Sequence, residues 1–238
     1  MNYRNFKILA FALILFLLSS PLKAQIFKGM VIGGVNLSQM NGDQVFGYNK
    51  VGLNTGIGVM APLNNTRNFL ISMEVLYNEL GAKESGDPFK YNTKIQYVSI
   101  PLLFLYEDKF GGWTFGTGLQ YSRLIDVKED WGLPNTPIKY MDSPVMSTVK
   151  DFNRDDFSFL FDIRFRIWER LKLNFRYQYS ILSIRKDVTY SNSFPSDSPD
   201  YKSWQRDFYH NVLTLRLIYV INERSTKDLD RNINRQIY

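Results

Sequence analysis

A chain of 238 residues with 45% hydrophobic and 22% charged residues can bury a substantial core, which excludes wholesale disorder. The absence of cysteine excludes disulfides, thiolate metal sites, a cysteine nucleophile and a lipid-attachment cysteine. The formal charge of +6 falls to +3 without Arg4, Lys7 and Lys23 of the first 24 residues. No basic helix or Lys/Arg tract supports nucleic-acid binding.

The chain opens with an export signal. Arg4 and Lys7 make a positive start, Ile8 to Leu18 is an unbroken apolar run, and Leu22-Lys23-Ala24 ends in a small residue suited to cleavage before Gln25. The run is too short to span a bilayer as a helix, which needs about 20 residues. No later segment reaches 18 uncharged apolar residues, so no transmembrane helix is expected in the mature chain. Residues 1–24 are therefore read as a signal peptide, 25–222 as one domain, and the polar stretch 223–238 as a periplasmic tail.

From Gln25 onward a period of two replaces any helical period, and eight strands are predicted in order. They lie near 27–39, 48–61, 68–80, 93–106, 112–125, 156–168, 171–184 and 208–222. The connections alternate in length. PLNNT, EDKFG and Glu169-Arg170 join strands 2–3, 4–5 and 6–7, whereas the segments near 40–47, 81–92, 126–155 and 185–207 are longer. Short turns on one side and long loops on the other are the pattern of an outer-membrane barrel.

The hairpin FDIRFRIWERLKLNFRYQYS (161–180) poses the question of which face is inside. One face carries Phe161, Ile163, Phe165, Leu173, Phe175, Tyr177 and Tyr179; the other carries Asp162, Arg164, Arg166, Lys172, Asn174, Arg176 and Gln178. Eight strands enclose a lumen just wide enough for side chains, and rows of Phe and Tyr from every strand would overfill it. The opposite faces, such as Gly52, Asn54, Gly56 and Gly58 or Thr114, Gly116, Gly118, Gln120 and Ser122, suit a narrow interior. Lys or Arg facing lipid costs about 2–4 kcal/mol near the midplane. The charges therefore point inward, where Glu74 and Asp162 can pair with Arg164, Arg166, Lys172, Arg176 and Arg216. This reading gives an all-β, eight-stranded antiparallel up-and-down transmembrane β-barrel of outer-membrane type, closed by a structural ion-pair network. Tyr48, Tyr106, Trp113, Tyr121, Trp168, Tyr209 and Tyr219 fall near strand ends, as an interfacial aromatic belt requires. The rival reading is a soluble secreted eight-stranded barrel binding a small apolar ligand, with the greasy faces lining its cavity.

Several short motifs resemble the PorT-like family of outer-membrane barrels. They are Gly33-Gly34-Val35-Asn36-Leu37-Ser38, the Gly-rich strand after Tyr48, Met73-Glu74-Val75-Leu76-Tyr77, Tyr97-Val98-Ser99-Ile100-Pro101-Leu102-Leu103, Phe115-Gly116-Thr117-Gly118 and Phe175-Arg176-Tyr177-Gln178-Tyr179. The resemblance covers about 26–222. It implies an eight-stranded barrel in the outer membrane of a Gram-negative bacterium and a link to type IX protein secretion, and it brings no catalytic residues.

No chemistry stands out. The single histidine, His210, is expected as a rim residue at the start of strand 8, with Asp207 on the opposite face. One histidine excludes a multi-histidine metal site. The loop acids Glu129-Asp130, Asp155-Asp156, Asp197 and Asp200 lack the spacing of a recognised calcium loop. Neither catalytic residues nor cofactors are expected. The expected contacts are outer-membrane lipid and a protein partner, reached through the long outer loops or the tail. Trp131, Tyr140, Tyr190, Tyr201 and Trp204 in those loops are the candidate binding surface.

Overall fold

The computed structural model describes residues 27–43, 47–83, 92–108, 110–130, 145–148, 151–192 and 196–222. The predicted signal peptide and tail, with Trp131 and Tyr140, lie outside them. Among these residues are ten strands: β1 (Lys28–Asn41), β2 (Lys50–Pro62), β3 (Phe69–Lys83), β4 (Asn92–Glu107), β5 (Trp113–Asp130), β6 (Val145–Thr148), β7 (Asp155–Arg166), β8 (Leu171–Ser180), β9 (Arg185–Ser191) and β10 (Ser203–Val220). Eight of them pair antiparallel in the order β1-β2-β3-β4-β5-β7-β8-β10, and β10 closes on β1 from Met30↔Val220 to Asn41↔Tyr209. No helix among the described residues is long and apolar enough to cross a membrane. The wall is an eight-stranded barrel without a free edge.

The short connections are built as tight turns. At β2–β3, the Asn64 side chain accepts the Asn68 and Phe69 amides, and Arg67 takes a positive φ of 55°. At β4–β5, the Asp108 carboxylate accepts the Phe110 and Gly111 amides, and Gly112 supplies φ 73°. That conformation is easy for glycine and strained for most residues. The β7–β8 turn spans 167–170, two residues more than expected, and is closed by the Ile167 amide on the Leu171 carbonyl.

Outward-facing side chains fix the environment of the wall. On β4 the outer face reads Tyr106, Phe104, Leu102, Ile100 and Val98, all exposed. From Val98 to Tyr106 is the length a tilted strand needs to cross a bilayer, about 9–11 residues. The neighbouring β3 matches it with Phe69, Ile71, Met73 and Val75, and Phe69 stacks on Phe104 at 5.6 Å. Such an apolar girdle contradicts the soluble ligand-binding barrel, whose outer surface had to be polar. Tyr106, Trp113, Trp168 and Tyr219 are exposed toward the short-turn end. Tyr121 and Tyr209 stand toward the long-loop end, where Tyr209 stacks on Tyr179 at 6.3 Å and Tyr48 donates to the Asn211 side chain at 2.8 Å.

The long-loop end departs from the expected eight strands. β10 begins at Ser203 rather than near 208, and β8 ends at Ser180 rather than near 184. The first part of β10 pairs with β9, and β9 pairs with β6, so a small second sheet rises from the barrel rim. β5 likewise runs on to Asp130, pairing with β4 as far as Asn92↔Asp130. Glu129-Asp130 and Asp155-Asp156 thus lie on strands, not in loops.

Candidate functional site in the barrel lumen

Inward-facing residues stack in layers along the barrel. Gly118 shows how tightly the wall coils around them: a Cβ there would collide with the Leu102 carbonyl oxygen. Only glycine permits that approach.

At the centre lie Glu74 of β3, Asp162 and Arg164 of β7, Arg176 of β8 and Arg216 of β10, all buried. Each arginine bridges both carboxylates. Arg164 donates from Nε to Asp162 at 2.7 Å and from Nη2 to Glu74 at 3.1 Å. Arg176 donates from Nε to Asp162 at 2.7 Å and from Nη2 to Glu74 at 3.1 Å. Arg216 donates from Nη1 to Glu74 at 3.1 Å and from Nη2 to Asp162 at 3.3 Å. The register makes this convergence: Asp162 sits opposite Arg176 across β7–β8, and Arg216 opposite Asn174 across β10–β8. The remaining Arg216 Nε donates to Asn174 Oδ1 at 2.5 Å, and Arg164 Nη1 points at the Met60 and Met30 sulfurs at 3.4 and 3.7 Å.

Two residues grouped with this network by sequence lie elsewhere. Lys172 donates to Glu107 at 2.6 Å, and Lys28 approaches the same carboxylate at 3.8 Å. This separate cluster sits at the short-turn mouth. Arg166 is the last residue of β7, only partly buried, beside the Gly112 turn. An apolar layer of Met30, Ile32, Met60, Leu70, Leu103, Leu105, Ile218 and Val220 separates that mouth from the centre. Lys172 and Arg166 share the parity of Arg176 but lie at the strand ends, too far along the barrel to reach Asp162. Sequence reasoning missed Glu107, because EDKFG read as a turn.

Toward the long-loop end uncharged polar side chains fill most of the lumen. Asn78 Oδ1 accepts from both Asn54 and Asn36, and Thr214 donates to Asn36 at 2.9 Å. Gln120 donates to Gln178 at 3.1 Å, Gln178 to Ser158 at 3.1 Å, and Ser158 to Asp156 at 2.8 Å. His210 is fully buried here, its Nε2 3.2 Å from the Tyr97 hydroxyl. It is buried rather than exposed at the rim, because β10 runs on past the wall to pair with β9 and the apolar cap closes over it. Asp207 does face away, accepting the Asp187 amide.

The long-loop end closes over an apolar cap. Met40, Leu80, Ala82, Ile95, Tyr97, Phe152, Ile184, Val188, Tyr190, Phe208 and Val212 form one buried cluster. Arg185 is held inside it, 3.7 Å over the Phe152 ring and donating to Glu129 at 3.0 Å. Of the aromatic residues named as a binding surface, Tyr190 is buried and stacks on Trp204 at 6.4 Å, so these two pack the cap. Burial pushes the Tyr190 hydroxyl well above its ordinary range. Tyr201 is partly exposed. On the outer wall, Tyr121 and Arg123 both donate to exposed Asp155 at 2.6 Å and hold its carboxyl below its ordinary value, the tyrosine contributing first. Among the described residues, no three His, Asp or Glu side chains converge as a metal site.

A family model described as outer membrane protein beta-barrel domain matches residues 9–206. No curated protein matches the chain. Among solved structures, Neisserial surface protein A (NspA) is similar at 10% identity, over 82% of this chain and 97% of its own, with a TM-score of 0.41. A major outer membrane protein from Thermus thermophilus is similar at 13% identity, over 82% of this chain and 100% of its own, with a TM-score of 0.43. Ail, the attachment invasion locus protein of Yersinia pestis, is similar at 9% identity, over 82% and 99%, with a TM-score of 0.39.

Proposed function

The chain belongs to the outer membrane protein beta-barrel family, and from that premise we propose a sealed, non-catalytic barrel that displays a protein-binding platform at its long-loop end. The filled lumen carries this reading. Three arginines and two carboxylates interlock at its centre, and apolar layers lie on both sides. A channel needs a continuous wet path, and this interior is packed with side chains. The platform is the sheet β10-β9-β6 with the connections around it. In this reading the short turns face the periplasm and the long loops face outward, the usual arrangement of such barrels. Residues 1–24 are removed on export, which the N-terminal residue of the mature protein reads directly.

The resemblance to PorT-like barrels extends the reading to an accessory role in type IX secretion. The test has two arms. In planar bilayers the purified barrel shows no stepwise ion conductance; steady channels would overturn the sealed-barrel reading. In native membranes, crosslinking with mass spectrometry places partner peptides on residues 126–155 and 185–207. Crosslinks confined to the short-turn end would move the platform, and normal secretion in a deletion strain would remove the secretion role.

A further inference from the structure

The central network does not balance. Arg164, Arg176 and Arg216 face Glu74 and Asp162, so one positive charge is left over. A guanidinium does not give up its proton in a protein. An unmatched buried charge is costly, and the girdle of lipid outside makes the surroundings drier still.

Neither neighbouring carboxylate takes up the surplus. Toward the short turns, Glu107 is engaged by Lys172 and Lys28, beyond the apolar layer. Toward the long loops, Asp156 accepts from Ser158 and forms no ion pair with any of the three arginines among the described residues.

The donor inventory points to where the missing negative charge belongs. Nine guanidinium nitrogens converge on the centre. Eight of them find an oxygen or sulfur, and Arg176 Nη1 is buried with no partner among the described residues. The Asn78 amide Nδ2 is a second buried donor without a partner. An arc of paired residues joins the two. Thr214 is the register partner of Arg176 and donates to Asn36, and Asn36 donates to Asn78. A water molecule accepts hydrogen bonds but carries no charge. A monoanion answers both the free donors and the surplus, whereas a phosphate dianion would reverse the imbalance.

We propose that the lumen binds one small inorganic monoanion of the halide class, anchored on Arg176 Nη1 with the Asn78 amide as second donor. Its role is to complete the network, independently of what the outer platform binds.

Anomalous diffraction from crystals of the full mature barrel grown in sodium bromide tests this directly. The expected result is one bromide peak in the lumen at Arg176 Nη1. Absence of a peak there, or electron density for a water with no anomalous signal, overturns the proposal. In detergent, the thermal midpoint rises with sodium bromide relative to sodium gluconate at equal ionic strength, growing with the logarithm of bromide once the site's Kd is exceeded. Arg176→Gln removes donor and surplus together while Arg164 and Arg216 still match both carboxylates, so its bromide dependence disappears. A bromide shift that persists in R176Q overturns the assignment. If R176Q does not fold, the wild-type bromide peak decides alone.

Discussion

The membrane band and the long-loop cap are built from the same strands and filled in opposite ways. Within the band, β3 turns Ile71, Met73 and Val75 outward and carries Ser72, Glu74 and Asn78 inward, interleaved with Leu70 and Leu76. Past Tyr77 the same strand turns Glu79 and Lys83 outward and Leu80 and Ala82 inward. β4 changes in the same way, from Val98 out and Ser99 in to Lys94 out and Ile95 in, and Glu79 pairs with Lys94 at 2.7 Å on the outer wall. Along these two strands the side-chain parity never changes; only its polarity does. The surrounding medium sets that polarity. Lipid takes apolar side chains outside and confines the charged and polar groups to the lumen, where they share the space with one apolar layer, whereas water restores the ordinary arrangement of a soluble core.

The largest test of this contrast removes a carboxylate from each region. Asp162→Ala leaves three buried guanidiniums around Glu74 alone, and breaking a buried ion pair from one side costs about 3–5 kcal/mol. The expected outcome is a barrel that loses its unboiled gel mobility at much lower urea, or fails to fold. Glu129→Ala in the cap is expected to cost less, about 1–3 kcal/mol, because buried Arg185 loses its carboxylate but keeps its ring contacts, and Glu129 itself is partly exposed. Equal losses would mean that the cap is as dry as the band.

Next come substitutions on one outward row of β4. Ile100→Arg places a charge in the lipid girdle and should destabilise by about 2–4 kcal/mol, whereas Gln96→Arg, on the same face beyond Val98, should stay within about 0.5 kcal/mol. Equilibrium unfolding in lipid vesicles measures both. Similar costs at the two positions would place the membrane boundary wrongly. A smaller effect is expected from Ile184→Val, which removes one methyl group from the cap cluster at about 0.5–1.5 kcal/mol. Hydrogen exchange should report the loosening in β9 and the start of β10, with the rows between Tyr179 and Leu171 unchanged.

The same contrast explains what could be read from the sequence. The eight wall strands were legible because lipid demands a strict period of two, as in Phe157, Phe159, Phe161, Ile163 and Phe165. β9 was not, because RKDVTYS stands above the membrane, where no lipid enforces alternation. β6 is four residues long and meets β9 only through pairing distant in sequence, Val145↔Ser191. In the lumen, parity identified the charged residues but not their partners. Which arginine meets Asp162 depends on register and height along the barrel, so Lys172 fell to Glu107 and Arg166 to the mouth. His210 looked like a rim residue while strand 8 was thought to begin near it. Reading the polarity switch between Tyr209 outward and Phe208 inward would have placed it beneath a cap.

The smallest expected effect sits at the boundary itself, where two adjacent aspartates of β7 face opposite media. Asp156 points into the lumen toward Ser158, while Asp155 lies exposed on the outer wall under Tyr121 and Arg123. The hydroxyl of Tyr121 and the charge of Arg123 favour the Asp155 carboxylate, so its folded value lies below the unfolded one, about 3.9. Such a group contributes stability that is present above the unfolded value and is lost as pH falls through the folded one. Tyr121→Phe removes the first of these causes. Its midpoint should fall slightly below wild type at pH 6, and the gap should close as the pH drops below about 3.9. A gap independent of pH would assign the loss to the tyrosine's place in the aromatic belt, where it packs on Phe157 at 5.2 Å, rather than to its bond with Asp155.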